Sequence, residues 1–115
     1  MRKFKGVVSH HQKEIVELRA DRELAAEYLK AAMDALDTPG GQAAGLLALR
    51  TVAEAFGGLG VVAAEAGINR ESLYRALSPR GNPTLKTLLA VLKVAGLRLS
   101  VEPARTVRQR LRADS

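Results

Sequence analysis

The sequence predicts an all-α bundle of five to six short helices closed by one short C-terminal β-strand. Three observations carry this. Hydrophobic residues make up 47% of the chain but aromatics only 3%. The core must therefore be built from Ala, Leu and Val, and Ala and Leu are strong helix formers. Apolar positions recur at three- and four-residue spacing, and Gly/Pro breaks cut the pattern into pieces of helix length. At 115 residues the chain fits one domain with short appendages.

Residues 1–8 read as a flexible basic lead. Residues 9–37 read as one or two helices, with Ile15, Leu18, Leu24, Ala25, Tyr28, Leu29, Ala32 and Leu36 in helical register. Asp21 is placed to cap the second of them, since Arg22, Glu23 and an Ala-rich run follow. Thr38-Pro39-Gly40-Gly41 is the sharpest break. It separates these helices from a domain over 38–103.

That domain opens with an amphipathic helix over 42–56, carrying Leu46, Leu49, Val52, Ala53 and Phe56 on one face. Gly57-Gly58 ends it. A short helix over 59–66 stops at Gly67, and another runs over 70–77. Residues 78–83 form a Ser-Pro-Arg-Gly-Asn-Pro turn. Thr84 then caps a helix through Ala95, stopped by Gly96. Residues 97–101 alternate apolar and polar and predict a strand. A lone strand needs a partner, either the basic lead or the same strand of a second chain. Residues 104–115 carry Arg105, Arg108, Arg110 and Arg112 and read as a basic, flexible tail.

Composition narrows the function. The absence of cysteine excludes disulfide scaffolds and thiolate metal sites, and it suits the cytoplasm. No apolar run approaches the roughly 20 residues of a membrane span, and the basic N-terminus lacks the apolar stretch of a secretory signal. The net charge of +6 and pI near 10.2 favour a polyanionic partner. His10 and His11 are adjacent, cannot share a face and predict no metal site. Glu54, Glu65 and Glu71 form no acid–base pair, and Ser72 and Ser78 have no histidine nearby in sequence. Gly57-Gly58-Leu59-Gly60 lacks the Lys-Ser/Thr of a phosphate loop. Neither an enzyme nor a cofactor is expected.

Residues 59–77 carry the positive signal. A helix-turn-helix needs two short helices, a tight turn commonly holding glycine, and a small residue where the helices cross. Ala63 lies four residues before Gly67, Val62 can seal the core, and Leu73 lies six after. Asn69 can cap the second helix, whose first turn offers N–H groups to phosphate. At 100° per residue, Ser72, Leu73, Ala76 and Leu77 fall on one arc, while Arg70, Glu71, Tyr74 and Arg75 fall on the other. Arg can pair bidentately with guanine, Glu can accept from cytosine, and Tyr can reach a phosphate or sugar. An ordinary solvated amphipathic helix would show a similar charge pattern. The glycine spacing, the short flanking lengths and the basic charge together favour double-stranded DNA.

Three stretches, residues 67–78, 81–85 (Gly-Asn-Pro-Thr-Leu) and 91–101, resemble the addiction-module antidote family. So does the upstream Ala26-Glu27-Tyr28-Leu29-Lys30-Ala31-Ala32. These are HigA-like antitoxins with a lambda-repressor-like helix-turn-helix, and the resemblance spans about residues 21–102. It implies an antitoxin of a type II toxin–antitoxin module that represses its own operon and neutralises a cognate, ribonuclease-like toxin. It places Arg70, Glu71, Tyr74 and Arg75 at operator-reading positions, and Arg80 and Lys86 at phosphate contacts. The lead before Ser9 and the tail after Pro103 depart from the family pattern.

One reading helix offers too small an interface for high specificity, so a homodimer on an inverted repeat is expected, with 97–101 as its interface. The alternative is a protein-interaction module that sequesters a partner with little specific DNA binding. It would use the helix at 26–32, whose Arg22, Glu23, Glu27 and Lys30 side stays open, together with the tail.

Overall fold

The computed structural model describes residues 9–104. Six helices follow in order: α1 (His10–Ala20), α2 (Arg22–Leu36), α3 (Gln42–Ala55), α4 (Gly58–Ala66), α5 (Arg70–Ala76) and α6 (Leu85–Val94). The basic lead 1–8 and the arginines at 105, 108, 110 and 112 lie outside the described residues.

Side-chain caps set the helix starts. The Ser9 hydroxyl accepts from the Gln12 N–H at 3.0 Å, and the Gln12 side-chain oxygen accepts from the Ser9 N–H at 3.3 Å. This capping box satisfies two donors left free at a helix start. Asp21, the expected cap, accepts from the N–H groups of Glu23 and Leu24 at 3.1 and 3.2 Å. Residues 9–37 are therefore two helices with a one-residue joint. Thr84 caps α6 by accepting from the Thr87 N–H at 3.1 Å.

α3 is the central element. α1 and α2 both pack on it, and it buries Leu46, Leu49, Thr51, Val52, Ala53 and Ala55. Gly45 marks the closest approach of α2. A Cβ there would stand 2.8 Å from the Ala32 carbonyl oxygen and 2.9 Å from the Leu36 side chain. Gly57, at φ +110°, ends α3, and α4 leaves at a bend of 101°. α4 then packs on α5 and α6. One apolar cluster runs through both halves, from Leu18 and Leu29 through Leu49 and Val62 to Leu73, Leu77 and Val91. Each such fully buried Leu or Val contributes about 1.5–3 kcal/mol.

Two arginines tie helix ends together. Arg19 Nε donates to the Ala55 carbonyl at 2.8 Å, and Arg22 Nε donates to the Ala95 carbonyl at 2.9 Å. Carbonyls at a helix C-terminus have no intrahelical N–H partner and sit at the negative end of the dipole, so a guanidinium suits both needs. The Arg22 guanidinium also lies 5.8 Å from the Phe56 ring centroid. Arg22 is thus a structural clip and not part of an open face.

Three expectations need correction. Residues 97–101 form no strand. Gly96, at φ +75°, closes α6, with its N–H on the Lys93 carbonyl at 3.0 Å and the Leu97 N–H on the Leu92 carbonyl at 2.8 Å. This is a Schellman closure. Beyond it the chain runs past α2 with no strand among the described residues to pair with. Leu24 is 39% exposed, because it flanks the buried arc of Ala25, Leu29 and Ala32 by about 100°. His11 is not simply solvated, since its Nε2 lies 2.7 Å from Glu54 Oε1 and links α1 to α3. Among the described residues no single helix is long and apolar enough to cross a membrane.

Candidate nucleic-acid interface

The turn between α4 and α5 fixes the candidate site. Gly67 takes φ +73°, a left-handed conformation that favours glycine. Its N–H reaches the Ala64 carbonyl at 3.2 Å, and the Ile68 N–H reaches the Ala63 carbonyl at 3.0 Å. Two residues later the Asn69 side-chain oxygen accepts from the Ser72 N–H at 2.7 Å. The chain therefore closes one helix and caps the next within three residues. Ala63 and Val62 are buried on the α4 side, as their spacing from Gly67 predicts.

α5 divides into the two expected faces. Leu73 and Leu77 are fully buried, and Ser72 and Ala76 are half-buried beside them. Arg70, Glu71, Tyr74 and Arg75 are all exposed. Only seven residues long, α5 is too short to hold itself together in water. Its two leucine anchors and the Asn69 cap keep the exposed face in place.

The following turn is built as tightly. The Gly81 N–H donates to the Ser78 carbonyl at 2.7 Å, and the Ser78 hydroxyl donates to the Arg75 carbonyl at 2.7 Å. Gly81 is buried against the end of α5. A Cβ there would overlap the Ala76 carbonyl and lie 2.6 Å from the Arg75 oxygen, so no larger residue fits. Gln42 Nε2, at the start of α3, donates to the Gly81 carbonyl at 2.9 Å. Arg80 is thereby presented, exposed, on a pinned turn. Lys86 is exposed on the first turn of α6, with its Nζ beside Gly67, 3.3 Å from where a Cβ would stand. Among the described residues no carboxylate pairs with Arg70, Arg75, Arg80 or Lys86.

Two contributors escaped the sequence. Arg50, half-buried on α3, places its guanidinium 4.3 Å from the Tyr74 ring centroid. That is stacking distance for a cation–π contact, and it fixes a side chain otherwise free to rotate. Gln42 anchors the 78–81 turn from 39 residues away. No local pattern marks either residue, since each acts across a tertiary contact.

The faces so arranged carry four unpaired cations, one carboxylate and one phenol around a short, rigidly held helix. The likenesses to known proteins agree with the extent of this architecture. A family model described as "Probable addiction module antidote protein" matches residues 10–103, which takes in all six helices. A curated relative from Haemophilus influenzae, itself an uncharacterized protein, is 48% identical over 44 residues. That match covers 38% of this chain and 45% of the relative, so it spans less than half of the relative's length. No solved structure matches the chain. With 94 contiguous positions inside one family model, the chain belongs to the addiction-module antidote family.

Proposed function

We propose that this protein is a sequence-specific DNA-binding antitoxin of a type II toxin–antitoxin module. It represses its own operon as a homodimer and neutralises a cognate, ribonuclease-like toxin, as HigA-like antitoxins do. The observation that carries this is the exposed Arg70, Glu71, Tyr74 and Arg75 face on a helix locked by Leu73, Leu77 and the Asn69 cap. α3 to α6 then make up a lambda-repressor-like unit, with α4 and α5 as the helix-turn-helix pair and α5 in the major groove.

Within this unit the residues divide by task. Arg70 and Arg75 suit guanine edges, and Glu71 suits the cytosine amino group. Tyr74, held by Arg50, presents its hydroxyl to phosphate or sugar. Arg80 and Lys86 flank the helix as phosphate contacts, which position the protein without reading sequence. The Asn69 oxygen is already used by the cap, which leaves its amide NH2 as the group available to DNA.

A fluorescence-anisotropy titration against DNA from just upstream of the gene, beside a scrambled duplex at two salt concentrations, tests this. Tighter binding to the upstream DNA at both salts is expected. Arg75→Ala should cost about 1–3 kcal/mol of specific binding. Equal, salt-sensitive binding to both duplexes would reduce the +6 charge to nonspecific attraction and sink the repressor assignment.

A protein-interaction module has one observation in its favour. Val16 is 63% exposed and Leu24 39% exposed on the α1–α2 layer, beside the exposed Glu23, Glu27 and Lys30. Deleting α1 and α2 cannot test this surface, because Leu18, Ala25 and Leu29 belong to the shared core. Val16→Ser and Glu27→Lys leave that core intact. They should weaken toxin capture while operator affinity holds.

A further inference from the structure

We propose that residues 97–103 are one half of a two-stranded antiparallel ribbon completed by a second copy of this chain, with Ser100 facing its own copy at the two-fold axis. The segment has the marks of an unfinished strand edge. Beyond the Leu97 N–H, the backbone of 98–102 makes no hydrogen bond to another described residue. Its side chains alternate in type, with Leu99 49% exposed and Val101 95% exposed. Leu99 and Val101 line an open groove with Ala26, Leu29 and Met33 of α2. An isolated two-stranded ribbon is marginal in water and needs an apolar surface beneath it. The groove supplies one.

The sequence chooses the partner. Antiparallel pairing of a segment with itself is isologous: every contact occurs twice. With Ser100 opposite Ser100, Arg98 falls opposite Glu102 of the second copy, and Leu99 falls opposite Val101. Opposite charges meet on one face and apolar side chains on the other. A slip of one residue would turn each apolar side chain to the wrong face. Pro103 has no N–H to donate, which suits the end of the ladder and not its middle. The lone segment therefore carries its own complement. This interface rests on the segment alone and stands whether or not α5 binds DNA.

The test uses the full chain without DNA. Sedimentation over a range of concentrations should show a reversible monomer–dimer equilibrium. Arg98→Glu sets two Glu–Glu contacts across the axis, and Glu102→Arg sets two Arg–Arg contacts. Each should weaken the dimer on the order of tenfold or more, and the combined variant should return close to the parent. Neither side chain has a hydrogen bond among the described residues, so the fold does not depend on them. Independently, the chain has no cysteine, and facing residues of an antiparallel pair lie about 4.5–5.5 Å apart at Cα, within disulfide reach. Ser100→Cys should therefore give a covalent dimer on mild oxidation, while Ser78→Cys should not. A parent chain that stays monomeric, single reversals that leave the dimer unchanged, or cross-linking no faster at 100 than at 78 would overturn the pairing. A dimer that ignores operator DNA would refute the repressor assignment alone, and a monomer that binds operator would refute the pairing alone.

Discussion

Gly45→Ala adds one methyl group where α2 and α3 come closest. That carbon would lie 2.8 Å from the Ala32 oxygen and 2.9 Å from Leu36 Cγ and Cδ2, where nonbonded carbon contacts settle at about 3.5–4.0 Å. The helices must separate by roughly half an ångström or more, in an interior as dense as an organic crystal. Overpacking of this kind costs about 1–3 kcal/mol. Alanine returns up to about 1 kcal/mol through its higher helix propensity. The net loss is about 1–2 kcal/mol, or roughly 4–12 °C in Tm for a domain of this size. Gly60, helical in α4, is the internal control, because a Cβ there meets nothing within 4 Å. Gly60→Ala should stabilise by about 0.5–1 kcal/mol. The difference between the two variants largely cancels propensity and isolates packing. Thermal and urea unfolding followed by circular dichroism measures it. A Gly45→Ala protein as stable as Gly60→Ala would refute the close α2–α3 contact.

Three further outcomes follow from other contacts. Arg50→Ala should weaken specific operator binding about three- to tenfold, and a double-mutant cycle with Tyr74→Leu should return a coupling of about 0.5–1 kcal/mol; a coupling of zero would show that the stack does not hold Tyr74. Burial raises the Tyr28 phenol above its ordinary value of 10.0; the Glu14 carboxylate adds to this, and Thr51 works against it. The folded chain then keeps a proton that the unfolded chain releases, so stability is intact below about pH 10 and falls as pH rises beyond it. Tyr28→Phe should flatten that alkaline fall in urea titrations. Asn69→Ala removes the α5 cap and should cost about 1 kcal/mol of stability, with a loss of operator affinity that the same titration reads.

Much of this was legible locally. The caps at Asp21, Asn69 and Thr84 and the glycine stops at 67 and 96 follow from side-chain and backbone chemistry within four residues. So does the inward and outward division of α5, which the 3.6-residue period alone dictates. Long-range contacts were hidden. Arg22 looks like any first-turn arginine, yet it reaches the Ala95 carbonyl 73 residues on. Arg50 and Gln42 lie on the polar side of an amphipathic helix, and only the fold brings them to Tyr74 and Gly81. Residues 97–101 were read as a strand because alternation reports a side-chain pattern. A ladder also needs a second edge, which one chain's described residues do not offer.

α3 joins the two tasks proposed for this antitoxin. One side holds α2 at Gly45, and another reaches the DNA-reading unit through Gln42 and Arg50. All three residues lie within nine positions of one continuous helix. A close-packed helix moves as a body, so a toxin seated on the outer face of α2 that shifts α2 also shifts Tyr74 and the 78–81 turn. Coupling of this kind is typically about 1–3 kcal/mol, or roughly 5- to 150-fold in affinity. Thermodynamic linkage makes it reciprocal: the factor by which toxin changes operator affinity must equal the factor by which operator changes toxin affinity. Titrating both legs measures the coupling twice. Arg50→Ala should then shrink both factors together, because it removes the link to Tyr74 without touching α2. An undiminished coupling in that variant would mean that toxin and operator communicate by another route, or through the dimer.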